Sequence, residues 1–168
     1  PPNYPFANSQ VFTDVSGYVS GSNVTATLEA GELPTTAGLE AGGSVWYSWR
    51  APATGTFSIR LTADWDAQLA IFTGEEVGAL TVLDESDPLD GEGDAVVILA
   101  AEEGASYRVR VTGYSIDRGP FLLELSIQVP PPANDNFADA QVVVGAEVEG
   151  ELSGSNFGAT MEPGELET

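Results

Sequence analysis

The side chains that could do chemistry in this chain are carboxylates, and they gather at two places. Asp64 and Asp66 flank Trp65 just ahead of an apolar run from Leu69, and Asp84, Asp87 and Asp90 follow the apolar residues around Leu83. Calcium takes six to eight hard oxygens from carboxylates, loop carbonyls and water. Two acidic loops meeting at one end of a sheet could supply them, so Asp64, Asp66, Asp84, Asp87 and Asp90 are the candidate calcium ligands. The competing reading is that they are solvated turn residues. Trp65, held between two aspartates, is the candidate for stacking on a sugar ring, against a packing role inside the fold. Nucleophilic catalysis has little to draw on. A serine needs a base such as histidine or lysine, yet all five basic residues are arginines and the chain has no histidine, lysine or cysteine. A glycosidase-like carboxylate pair stays open, but with 26 acidic residues some pair must lie close by accident. The chain reads as a non-enzyme.

The formal net charge of −21 excludes non-specific nucleic-acid binding, which depends on Lys and Arg neutralising phosphates. It also argues against an anionic membrane surface, and no apolar run is long enough for a membrane helix. An acidic surface suits solubility, adaptation to salt, or a divalent cation. The absence of cysteine fits a secreted bacterial protein, and the absence of lysine excludes a Lys–Asn isopeptide staple.

The elements that must position these residues are strands. Val45, Tyr47 and Trp49 alternate with Trp46, Ser48 and Arg50; Phe57, Ile59 and Leu61 alternate with Ser58, Arg60 and Thr62. Tyr107, Val109 and Val111 alternate with Arg108, Arg110 and Thr112, and residues 121–129 show the same period of two. Each such stretch is a strand with one buried and one wetter face. On this phase Trp49 belongs to the core, while Trp46 lies with Arg50 on a face expected to be partly exposed. Gln68–Thr73 and Ala95–Ala100 are apolar on both sides and are expected as central strands. Glycine-rich turns separate the runs, and no long helical period intervenes. The fold class is therefore all-β, an antiparallel jelly-roll-like β-sandwich, with Phe6 and the inward residues of each strand as core.

The chain also carries one stretch twice. Asn3, Phe6, Ala7, Gln10 and Val11 return as Asn134, Phe137, Ala138, Gln141 and Val142, an offset of 131. Gly21-Ser22-Asn23, Ala26-Thr27, Glu29 and Gly31-Glu32-Leu33 return as Gly154-Ser155-Asn156, Ala159-Thr160, Glu162 and Gly164-Glu165-Leu166, an offset of 133. Residues 1–129 are thus one complete module, 130–132 a proline spacer favouring polyproline II, and 132–168 the opening of the next repeat in a tandem array. A single helical turn capped by Asn134 or Asp135 is expected, with Phe137 pinned in a core. Alone, this opening buries too little apolar surface to order itself. Phe137, Val142, Val144, Val148 and Leu152 are the expected assembly residues, donated as strand to a neighbouring copy; repeated head to tail, such a contact gives a fibre.

Four blocks in this order, Pro132–Ala140, Gly43–Pro52 with its Trp-Tyr-Ser-Trp, Leu69–Gly74 and Tyr107–Tyr114, resemble repeats of large secreted bacterial proteins related to the pre-peptidase C-terminal (PPC-like) domains. The resemblance implies an extracellular, non-catalytic jelly-roll module, often tandem or appended to enzymes, with some relatives binding calcium and some binding polymers. The acidic loop Asp84-Glu85-Ser86-Asp87 is sparser in aspartate than in calcium-binding members, and Tyr4-Pro5 stands where the second copy has Asp135-Asn136. The expectation is a structural module of a cell-surface repeat protein or fibre, its partner another copy of itself. The alternative is a carbohydrate- or protein-binding accessory module of a secreted hydrolase, with an extracellular polysaccharide as partner.

Overall fold

A computed structural model describes residues 1–12, 16–33, 42–88, 94–128, 134 and 137–140. The chain divides into two units, Pro1–Gln128 and Val129–Thr168. All nine described strands lie in the first: β1 (Gln10–Phe12), β2 (Gly17–Ser22), β3 (Val45–Arg50), β4 (Gly55–Ala63), β5 (Ala67–Thr73), β6 (Thr81–Ser86), β7 (Ala95–Ala101), β8 (Ser106–Gly113) and β9 (Pro120–Gln128). They form a five-stranded sheet in the order β1-β3-β8-β5-β6 and a four-stranded sheet in the order β2-β9-β4-β7. Every pairing is antiparallel except β1 with β3, which is parallel. The fold is a β-sandwich, and no helix among the described residues is long and apolar enough to cross a membrane.

The alternating residues set the core. Val45, Tyr47 and Trp49 of β3 face Phe57, Ile59 and Leu61 of β4 across the sandwich, and the other predicted strand residues join them, with Ile127 only partly buried; Phe6 is buried too, but in a separate cluster. Trp49 meets Phe57 edge-on at 4.7 Å between ring centroids, a favoured aromatic geometry. Burying one such side chain contributes roughly 1.5–3 kcal/mol.

Two expectations fail here. β5 is interior, as expected, but β7 is an edge strand pairing only with β4. Its period is two after all: Ala95, Val97, Leu99 and Ala101 point inward, while Ile98 and Ala100 stand in solvent. An apolar outer face looks like central burial when read from composition alone. Trp46 is not partly exposed either; it is fully buried, because the opening of the chain lies over its side of the five-stranded sheet.

Candidate functional site

The outer face of the five-stranded sheet carries the molecule's unusual chemistry. Across it run Trp46 of β3, Arg110 of β8 and Ala70 of β5, in register. Phe6, Trp46, Ala70, Phe72 and Leu80 form a second small core there, with Leu33, Val77 and Val82 packed against it. A 3-10 turn at Phe6–Asn8 presents Phe6, which stands edge-on to Trp46 at 5.1 Å with the Arg108 guanidinium 5.1 Å above its ring. Arg110 is buried between Phe72 and Trp46, at 5.1 and 5.8 Å, and donates from Nη1 to the Leu33 carbonyl at 2.6 Å. Burial holds its guanidinium below the usual arginine value, and the Glu32 and Glu85 carboxylates oppose that shift.

Residues 1–33 are fastened to the rest of the sandwich by a short series of specific contacts. Asn3 donates from Nδ2 to the Trp46 carbonyl at 3.2 Å while the Trp46 amide donates back to the Asn3 carbonyl at 2.9 Å. Asn23, fully buried, donates to the Gly43 carbonyl at 3.0 Å and accepts from the Gly119 amide at 2.9 Å. The Phe6 amide donates to the Glu29 carboxylate. Glu32 accepts from the Ser44 hydroxyl at 2.6 Å and from the Glu29 amide at 2.8 Å. β1 and β2 add an edge strand to each sheet. At Gly21 a side chain has no room: a Cβ would lie 2.4 Å from both Phe121 and the Tyr47 hydroxyl. Gly31 has φ +97°, a backbone state that favours glycine.

Most of these fastening residues recur, together with exposed ones such as Ala7 and Thr27. Asn3, Phe6, Gln10, Gly21, Asn23, Ala26, Glu29, Gly31, Glu32 and Leu33 all keep their identity in the second copy. The register extends further back than the sequence blocks above, since Gly17 and Ser20 return as Gly150 and Ser153. Thr25 adopts φ +68°, costly for a β-branched residue, and the second copy has Gly158 there. The Ser9 amide closes the first turn on the Phe6 carbonyl at 3.1 Å, and the Ala140 amide closes a matching 3-10 turn, Phe137–Asp139, on the Phe137 carbonyl at 3.2 Å. The expected helical turn is therefore a 3-10 turn, and Phe137 is not in a core but 85% exposed; the aromatic seat of this sandwich holds Phe6. Val142, Val144, Val148 and Leu152 lie outside the described residues.

The predicted metal ligands separate. Asp64 and Asp84 are exposed, and Asp90 lies outside the described residues. Asp87 stands with Glu85 and feels the charge of Asp66, and the structure adds two residues the sequence did not suggest, Gln68 and Thr112. Glu85, Asp87, Gln68 and Thr112 stand at the far corner of the same sheet face, where Gln68 is in register with Thr112 and donates from Nε2 to Asp87 at 3.2 Å. Burial, then the charges of Asp66 and Glu85, push the Asp87 carboxyl up, partly offset by that Gln68 hydrogen bond. The Gln68 Oε1 and Thr112 Oγ1 atoms are buried with no hydrogen-bond partner among the described residues and border a cavity of about 10 Å³ shared with Asp87, Glu85 and Arg110, room for one water or ion. Among the described residues no three carboxylates are close enough to share a metal. Trp65 is half-buried: its indole N–H donates to the Pro120 carbonyl at 2.8 Å, and its ring lies edge-on to Phe121 at 6.5 Å. The ring anchors the Asp64–Asp66 loop to β9.

No family model matches the chain, and no curated protein does. Among solved structures it is similar to the pre-peptidase C-terminal domain of a collagenase from Bacillus anthracis, at 10% identity over 70% of this chain and 94% of that one, TM-score 0.47. It is also similar to PliG of Aeromonas hydrophila, a periplasmic inhibitor of g-type lysozyme, at 18% identity over 71% and 99%, TM-score 0.45. A family 35 carbohydrate-binding module from Clostridium thermocellum follows at 16% identity over 66% and 90%, TM-score 0.35. All three are likenesses of overall strand arrangement, too distant to transfer the role of any residue.

Proposed function

We propose that the chain is a non-catalytic, extracellular structural module of a tandem-repeat surface protein, and that residues 132–168 are its joint to the next unit. The observation that carries this reading is the overlap between repetition and fastening: Asn3, Phe6, Asn23 and Glu32, which lock residues 3–33 onto the sandwich, return as Asn134, Phe137, Asn156 and Glu165. A joint of this kind links modules in line or chains into a fibre. Sedimentation and electron microscopy of the full chain beside a chain ended at Pro131 test it. The full chain is expected to associate into elongated particles as concentration rises, and the shortened one to stay monomeric; equal assembly of both would refute the joint.

A second reading is favoured by one specific observation: the buried Gln68 Oε1 and Thr112 Oγ1 have no hydrogen-bond partner among the described residues and border the cavity that Glu85 and Asp87 also line. The neutral and acidic hard oxygens around this small cavity suit calcium, although the Arg110 guanidinium also borders it; a cation there would favour the ionised form of Asp87, whose carboxyl is pushed up first by burial and then by the charges of Asp66 and Glu85. A specific ion stabilises the fold that binds it, so a thermal melt with calcium should lie above one with chelator. Coincident midpoints would remove calcium from the account.

A further inference from the structure

The opening of this chain covers the sandwich at three places. It brings an edge strand to each sheet, one aromatic plug, and hydrogen bonds to Gly43, Ser44, Trp46, Arg108, Arg110 and Gly119 of the sandwich, beside bonds within the opening itself such as Phe6 to Glu29. Nothing in that list requires the opening to come from the same chain. The second copy offers the same parts in the same order. Asn134 and Phe137 stand for Asn3 and Phe6, residues 141–143 for β1, residues 150–155 for β2, and Asn156 for Asn23. The close approach at Gly21 is met by Gly154, and the left-handed positions 25 and 31 by Gly158 and Gly164.

We propose that residues 134–166 of one chain take the place of residues 3–33 on the sandwich of a second copy, with Phe137 in the seat between Trp46 and Arg108 and Val142 paired beside Ser48. This rests on reading residues 132–168 as a joint, and adds the acceptor: the edge of β3, the edge of β9 and the outer face between them. The second copy is the weaker occupant. Phe12, whose ring lies 5.3 Å from Tyr47, becomes Val143, and Ser9, whose hydroxyl accepts from Arg108, becomes Ala140. The first opening is also tethered, which gives it a high effective concentration. The in-chain arrangement is therefore the resting state, and exchange increases with protein concentration or when the first opening is weakened.

The chain has no cysteine, so introduced pairs report without interference. Val11 is the register partner of Ser48, and neighbouring strands bring partners within disulfide range. In the full chain, Val11→Cys with Ser48→Cys should close within one molecule under oxidised glutathione and so calibrate the site. Val142→Cys with Ser48→Cys should instead give disulfide-linked dimers and higher species on a non-reducing gel. Their yield should rise with protein concentration, and severalfold again on adding Phe6→Ala. The unweakened Val142/Ser48 pair needs no destabilising change, so a poorly folded Phe6 variant leaves the test intact. A Val142/Ser48 pair that stays reduced, or closes only within one chain, while the Val11/Ser48 pair closes, overturns the proposal. If ending the chain at Pro131 still abolishes association in that case, the joint survives and this acceptor site is wrong.

Discussion

Asp87 shows how a residue can be singled out from sequence while its surroundings stay illegible. It was legible as an acidic loop residue, but its company was not: Gln68 and Thr112 lie on strands far away in sequence and only the sheet register puts them beside it. Because burial and the charges of Asp66 and Glu85 raise its carboxyl in the fold, the native state holds that proton more tightly than the unfolded chain. Stability from this group is present at low pH and lost as pH rises through the folded value. In chelator, Asp87→Asn should therefore raise the melting temperature near neutral pH, and the gain should shrink to nothing as the pH falls below the ordinary carboxylate range. A lower melting temperature at neutral pH, unchanged on acidification, would count against the shift and its cause. Trp46 and Arg110 carry the same lesson. A period of two states which face a side chain takes, never what will cover that face.

At the level of elements, β3, β4, β8 and β9 were legible because their apolar alternation is long and unbroken, and Phe6 because its motif recurs. β1 and β2 were not. One is three residues long, the other reads Gly-Tyr-Val-Ser-Gly-Ser, and their reason to be strands lies in the edges that receive them. The covering role of the opening makes Asn23 its most sensitive polar residue. Asn23→Ala would leave the Gly43 carbonyl and Gly119 amide buried without partners. At about 1–3 kcal/mol for an unsatisfied buried group, urea unfolding should show a loss of about 2–4 kcal/mol. Gly21→Ala should cost about 1–3 kcal/mol by overpacking against Phe121 and Tyr47. A loss in either variant below about 0.5 kcal/mol, the size of an ordinary surface change, would mean the opening is not fastened as described.

For the molecule as a whole, a charge of −21 per chain works against any self-assembly. Like-charged copies repel at low ionic strength, and salt near about 0.15 M cuts the Debye length to about 8 Å. Association of the full chain should therefore strengthen from about 0.01 M to about 0.15 M salt; light scattering that falls over this range would point to a joint held by charge rather than by strands and aromatic packing. Amide hydrogen exchange reads the joint itself most directly. If the second opening is donated strand, the amides of residues 141–143 and 150–155 should gain protection as protein concentration rises, approaching that of Gln10–Phe12 and Gly17–Ser22. Exchange in those two stretches that is equally fast at every concentration, while β1 and β2 stay protected, would contradict the account.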